Sequence, residues 1–122
     1  MTLPMNRVNF ITLAVADLAR SRAYYEALGW VVEDANDMVA FYAMDGMKFA
    51  LFTLEGLAAE TGRDVSELKS GAMTLAQNQA SPEALDAAFA HAVASGATPV
   101  RAPFKTDWGG YSCYVADPDG HL

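Results

Sequence analysis

The sequence predicts an α+β fold built by using one βαβββ module twice. Three observations carry that expectation. The string Thr12-Leu13-Ala14 returns as Thr74-Leu75-Ala76. Each copy sits in a strand-like run and is followed by a capped helical stretch, a glycine stop and a further strand-like run. An Asp-Gly pair follows an aromatic strand in both halves, as Asp45-Gly46 and as Asp119-Gly120. A three-letter match alone arises by chance; order, spacing and turn chemistry together point to duplication.

The elements follow in order. Val8 to Val15 (VNFITLAV) is β-rich and apolar and reads as a buried strand. Asp17 offers an oxygen to cap a helix over Leu18 to Leu28, in which Leu18, Tyr25 and Leu28 recur at helical spacing and Gly29 ends the run. Trp30 to Glu33 is a short strand. Met38 to Met44 and Met47 to Leu54 flank Asp45-Gly46, a two-residue hairpin signal. Residues 55–71 form a connector with two short helical turns, the second opened by a capping box from Asp64 to Glu67. The pattern then restarts with a strand over Ala72 to Gln77. Ser81 caps and Pro82 opens a second helix, with Leu85, Phe89 and Val93 as its apolar stripe and Gly96 as its stop. Thr98 to Ala102 and Tyr111 to Ala116 are strands, and Asp117-Pro118-Asp119-Gly120 is a turn. The organisation is one domain: a first module over about 7–54, a connector over about 55–71 and a second module over about 72–122.

Composition narrows the function. With 122 residues the chain buries roughly 65% of its unfolded surface, enough for a core. No apolar run approaches the roughly 18 residues a membrane span needs, and Met1 to Arg7 lacks the pattern of a signal peptide. The single cysteine, Cys113, has no internal partner, which fits a reducing compartment. These features predict a cytoplasmic protein with no membrane partner. A net charge of −7, with eight Lys and Arg scattered singly, leaves no basic stripe to displace phosphate counterions, so nucleic acid is not expected as a partner.

The opening run FITLAVADLARSRAYYEALGW resembles the first module of the vicinal oxygen chelate superfamily, which holds glyoxalases, bleomycin-resistance proteins and extradiol dioxygenases. Its marks are Leu13, Asp17-Leu18, Ser21, Tyr24-Tyr25 and Leu28-Gly29. The run GGYSCYVADPDGHL is similar to that family's closing hairpin, with Asp117-Pro118-Asp119-Gly120 its most specific string. The resemblance implies two curved sheets forming an open, incomplete barrel around a cleft, with helices outside. It also implies a homodimer, in some members with each cleft completed by a partner's strands. In relatives a last strand follows DPDGHL; here the sequence stops at Leu122, so that strand is truncated or the second sheet keeps an unsatisfied edge.

Metal-using members hold one divalent ion with His, Glu or Gln from four cleft strands. Carried over singly, the first position is Phe10, the second falls at or near Leu51, and the third is Ala72 (Thr74 after a two-residue slip). The fourth lies four residues past Gly120. Phenylalanine, leucine and alanine offer no lone pair, so no metal and no cofactor are expected. His91, about 200° round its helix from Phe89, and His121, after a turn, read as surface residues.

Strand alternation then predicts a cleft wall of Phe10, Thr12 and Ala14, of Phe49, Leu51 and Thr53, and of Ala72, Thr74, Ala76 and Asn78. Such a wall, apolar with a few hydroxyl and amide groups, suits a small molecule, unless the side chains fill the cleft themselves. Trp108 and Tyr111, flanking Gly109-Gly110, are further candidates, since both pair a broad apolar face with one polar atom; a loop packed on the core is the plainer reading. Cys113 has no His or Lys nearby in sequence and reads as an inert thiol.

The predicted function is metal-free binding of a small apolar or aromatic compound, of the sequestering type. The alternatives are a metal-dependent lyase or dioxygenase similar to glyoxalase I, and a metal-free isomerase or lyase. No catalytic residue is assigned.

Overall fold

The computed structural model describes residues 6–122. The first module is complete: β1 (Phe10–Val15), α1 (Leu18–Ala27), β2 (Val32–Ala35), β3 (Val39–Met44) and β4 (Met47–Thr53). The sheet order is β1-β4-β3-β2, with β1 and β4 parallel and the other pairs antiparallel. Gly46, at φ 82°, supplies the left-handed turn residue between β3 and β4. α2 (Leu54–Thr61) and a 3-10 turn at Val65–Glu67 form the connector, and the Asp64–Glu67 capping box is present.

The second module contributes α3 (Pro82–Ala94), β5 (Thr98–Lys105) and β6 (Tyr111–Ala116), the strands forming an antiparallel pair. Ser81 caps α3 through its hydroxyl, with proline in the first turn, as predicted. The buried position on α3 is Ala92, while Val93 is exposed; Leu85, Ala88 and Phe89 complete the covered stripe.

One expected strand is absent. Residues 72–77 run without a ladder, because no described strand lies alongside them to accept their backbone groups. A single rung, from the Leu75 N–H to the Leu122 carbonyl at 3.0 Å, marks where such pairing begins. The fold is α+β with two open sheets and no closed barrel.

One core joins the modules through their helix-covered sides. Leu13, Val15, Leu18, Tyr24, Tyr25, Tyr42, Phe49 and Leu51 from the first module cluster with Ala92 and Ala97 from the second, and Val115 packs against them. Trp30 stacks on Tyr25 with ring centroids 4.6 Å apart and meets Phe49 edge-on at 4.8 Å. His91, expected in solvent, is exposed but donates a ring N–H to the Ala27 carbonyl at the end of α1.

The Asp117–Gly120 turn ties the modules together. The buried Asp117 accepts a hydrogen bond from the Tyr25 hydroxyl at 2.5 Å, and its other oxygen accepts from the Asp119 and His121 amides. Asp119 accepts from the Ala16 amide at 2.8 Å, the Ser21 hydroxyl at 2.7 Å and the Arg20 guanidinium at 3.1 Å. The His121 ring donates to the Ala14 carbonyl. The motif that reads as a simple turn is therefore a clasp on the N-terminal end of α1.

Candidate functional site

The register decides which residues face away from the helices. Parallel partners in β1 and β4 point the same way, so Leu13 beside Leu51, and Ile11 beside Phe49, lie under α1. The opposite, open face carries Phe10, Thr12 and Ala14 from β1 with Lys48, Ala50 and Phe52 from β4. Opposite β4, β3 adds Val39, Phe41 and Ala43 to that face. Phe10 is 52% exposed and meets Phe41 edge-on, centroids 6.3 Å apart.

This corrects part of the expected wall. Phe49 and Leu51 are core residues, Leu51 fully buried, and cannot reach the open face. Thr53, beside Val15, is likewise off that face. Every residue of MKFALFT but Lys48 and Thr53 is apolar, so alternation could not be read from β4 itself. The signal available was the match of Leu13 with Leu51 as co-facing leucines. Phe10, Thr12 and Ala14 lie on the open face.

At the end of this face α2 and the connector fold across the sheet. The Phe52 ring rests against Gly56, whose missing Cβ makes room for it. A cavity of about 310 Å³ lies beside them, lined by Thr12 and Ala14, by Leu57 of α2, by residues 68–73 and by His121 and Leu122. It brings the first-module residue Thr12 together with Ala72. Polar groups are few: Ser70, whose hydroxyl donates to the Asp119 carbonyl, Lys69, Thr12 and the His121 ring.

Thr74, Asn78 and Tyr111 lie elsewhere. They border a larger space of about 730 Å³ between residues 74–82, α3 and β6, on the helix side of the second sheet. The Tyr111 hydroxyl donates to Asp86 of α3 at 2.8 Å, which holds its proton and raises its pKa, and turns it from the open face. Trp108 is 80% exposed, with its indole folded over Gly110. Neither aromatic of the glycine loop faces Phe10. Cys113 also borders this space, and burial followed by the charge of Asp86 raises its pKa, the opposite of what a nucleophile needs.

On the second sheet, Tyr111, Cys113 and Val115 face α3, so the open face carries Ser112 and Tyr114 with their cross-strand partners Phe104 and Arg101. The Arg101 guanidinium lies 3.5 Å from the Phe104 ring centroid.

The open-face residue of β4 equivalent to the second metal position is Ala50, beside Thr12. Phe10, Ala50 and Ala72 provide no donor atom, and the described residues contain no group of three or more His, Cys, Asp or Glu placed to hold an ion. The donor set does not fit the divalent metal that part of this fold's membership uses.

The structure is one full βαβββ module followed by a helix and a strand pair of the second, with an open face on each sheet. Residues 7–122 match the model of the Glyoxalase/Bleomycin resistance protein/Dioxygenase superfamily, and the chain belongs to that superfamily. Among solved structures, it is similar to a glyoxalase-related enzyme from Fulvimarina pelagi, with 33% identity over 96% of this chain and 84% of that one and a TM-score of 0.90. A glyoxalase/bleomycin resistance protein from Albidiferax ferrireducens shares 28% identity over 93% and 92%, with a TM-score of 0.69. A glyoxalase/bleomycin resistance protein/dioxygenase from Nocardioides shares the fold at 21% identity over 98% and 82%, TM-score 0.77. No curated protein matches the sequence significantly.

Proposed function

We propose that this member of the superfamily binds a small apolar or aromatic compound without a metal, on the open face of its first sheet and in the adjoining cavity. The observation that carries the reading is the residue set Phe10, Thr12, Phe41, Ala50 and Phe52: aromatic and aliphatic groups stand on the face where a metal-using relative needs donors. A partly exposed pair of phenylalanines is costly to keep in water and gains from a ligand that covers it. The face is open, so a second copy of the chain is the natural cover, and the protein acts as a homodimer. One cysteine, a net charge of −7 and no described helix long and apolar enough to cross a membrane support a cytoplasmic protein with no nucleic-acid partner.

Two measurements test this. Elemental analysis of the purified protein is expected to find no stoichiometric Ni, Zn, Fe or Mn. Calorimetric titration with planar aromatic probes is expected to give saturable binding that Phe10→Ala weakens about tenfold while its stability changes by less than about 1 kcal/mol, since the ring is half in water already. A stoichiometric ion, or no saturable binding across a diverse panel, overturns the reading.

A further inference from the structure

Among the described residues Arg20, Arg22, Lys48 and Arg63 each reach a carboxylate, whereas Arg7, Lys69, Lys105 and Arg101 are paired with none. Of these four, Arg101 differs in having an aromatic partner. It stacks on Phe104. In a regular strand residues 101 and 104 point to opposite faces, because their separation is odd. β5 is irregular on both sides of Arg101, with register shifts between Pro99 and Arg101 and between Arg101 and Phe104. The shifts bring both side chains to the open face, opposite Tyr114 and Ser112. Bulges of this kind re-aim a side chain at the expense of ladder hydrogen bonds. The arginine–phenylalanine stack is thus a product of the strand's departure from regularity.

The resulting patch has a definite chemistry. One face of the guanidinium is covered by an apolar ring, which holds its plane, while its N–H edge remains free to donate in pairs to a carboxylate. On the neighbouring strand Tyr114, 40% exposed, offers a ring for stacking, and Ser112 offers a hydroxyl. In a chain of net charge −7 an unpaired cation is a local exception to a field that repels anions. We infer that the open face of β5 and β6 recognises aromatic carboxylates, with Arg101 pairing to the carboxylate and Tyr114 covering the ring. This goes beyond the binding reading above, which concerns the first sheet, and assigns a ligand class to the second.

The test compares 2-naphthoate with 2-naphthamide, which share a ring system and differ in charge, by calorimetry on the whole chain. Naphthoate is expected to bind the wild type at least about tenfold more tightly, the effect of one charge-assisted hydrogen bond. Arg101→Gln is expected to remove that preference, with an unaltered circular dichroism spectrum. Phe104→Leu, which keeps the charge but loses the stacking plane, is expected to reduce the preference several-fold. Equal affinities in the wild type, or a preference that survives Arg101→Gln, overturn the inference while leaving metal-free binding intact. Failure of both probes to bind likewise overturns the inference.

Discussion

Asp119 satisfies three donors at once, and two of them have no other partner within reach. Ser21 is fully buried, and the Ala16 amide stands just before α1, where helix backbone donors lack intrahelical acceptors. Asp119→Ala is therefore expected to cost about 2–3 kcal/mol, the loss of charge-assisted bonds plus orphaned donors, read from urea unfolding with an unchanged m-value. Burial and then its hydrogen bond to Asp117 raise the Tyr25 pKa far above the ordinary tyrosine range. Tyr42, fully buried and donating to Glu26, is pushed up to about 12 by burial first and the Glu26 bond second. Each folded-state value lies above the unfolded value of about 10, so the stabilisation is complete below pH 10 and is lost as pH rises from 10 through 12. The wild type is expected to lose stability over that window in denaturant titrations, and Tyr42→Phe to flatten the loss. A slope unchanged in the variant would remove Tyr42 from the account.

At the scale of elements, the first module was legible because its signals are local. Asp17, Gly29 and Asp45-Gly46 each act within a few residues, and their caps and turn appear where expected. The clasp was not legible, since Ala16 and Asp119 are 103 residues apart and nothing local marks them as partners. The site was half legible. Phe10 and Thr12 followed from alternation along β1, whereas β4 is apolar on both faces, so its register with β1 alone separates Ala50 from Leu51. The strand over residues 72–77 has the right composition, but a ladder requires a neighbour. Edges show the same logic: β5 carries Pro99 and Pro103, and β2 carries Glu33 and Asp34 with a register shift, features that discourage foreign pairing, whereas Tyr111–Ala116 carries none. Gly56 provides the element-scale prediction. A methyl group there collides with the Phe52 ring, so Gly56→Ala is expected to displace that ring, cost about 1–3 kcal/mol and alter binding at the adjoining cavity, as a melting curve and an aromatic NMR spectrum would reveal.

For the whole molecule, the two sheets share one core on their helix sides, and the other face of the first sheet is covered by α2 and the connector at one end and exposed at Phe10 at the other. An acidic chain presenting Phe10 and Phe41 this way stays soluble as a monomer only at the expense of wetting that apolar surface. Sedimentation velocity at micromolar concentration is expected to show a dimer, and Phe10→Glu to shift it to monomer with its fold preserved; a wild type that stays monomeric on concentration would remove the partner from the binding model.

The clasp also has a bearing on how the chain comes into being. Translation proceeds at about 5–20 residues per second, so Ala16 emerges some five to twenty seconds before the Asp119 that secures it, given their 103-residue separation. During that interval the first helix must hold with Asp17 as its own cap. A nascent chain halted before Asp119 would accordingly be the form most exposed to chaperones and proteases.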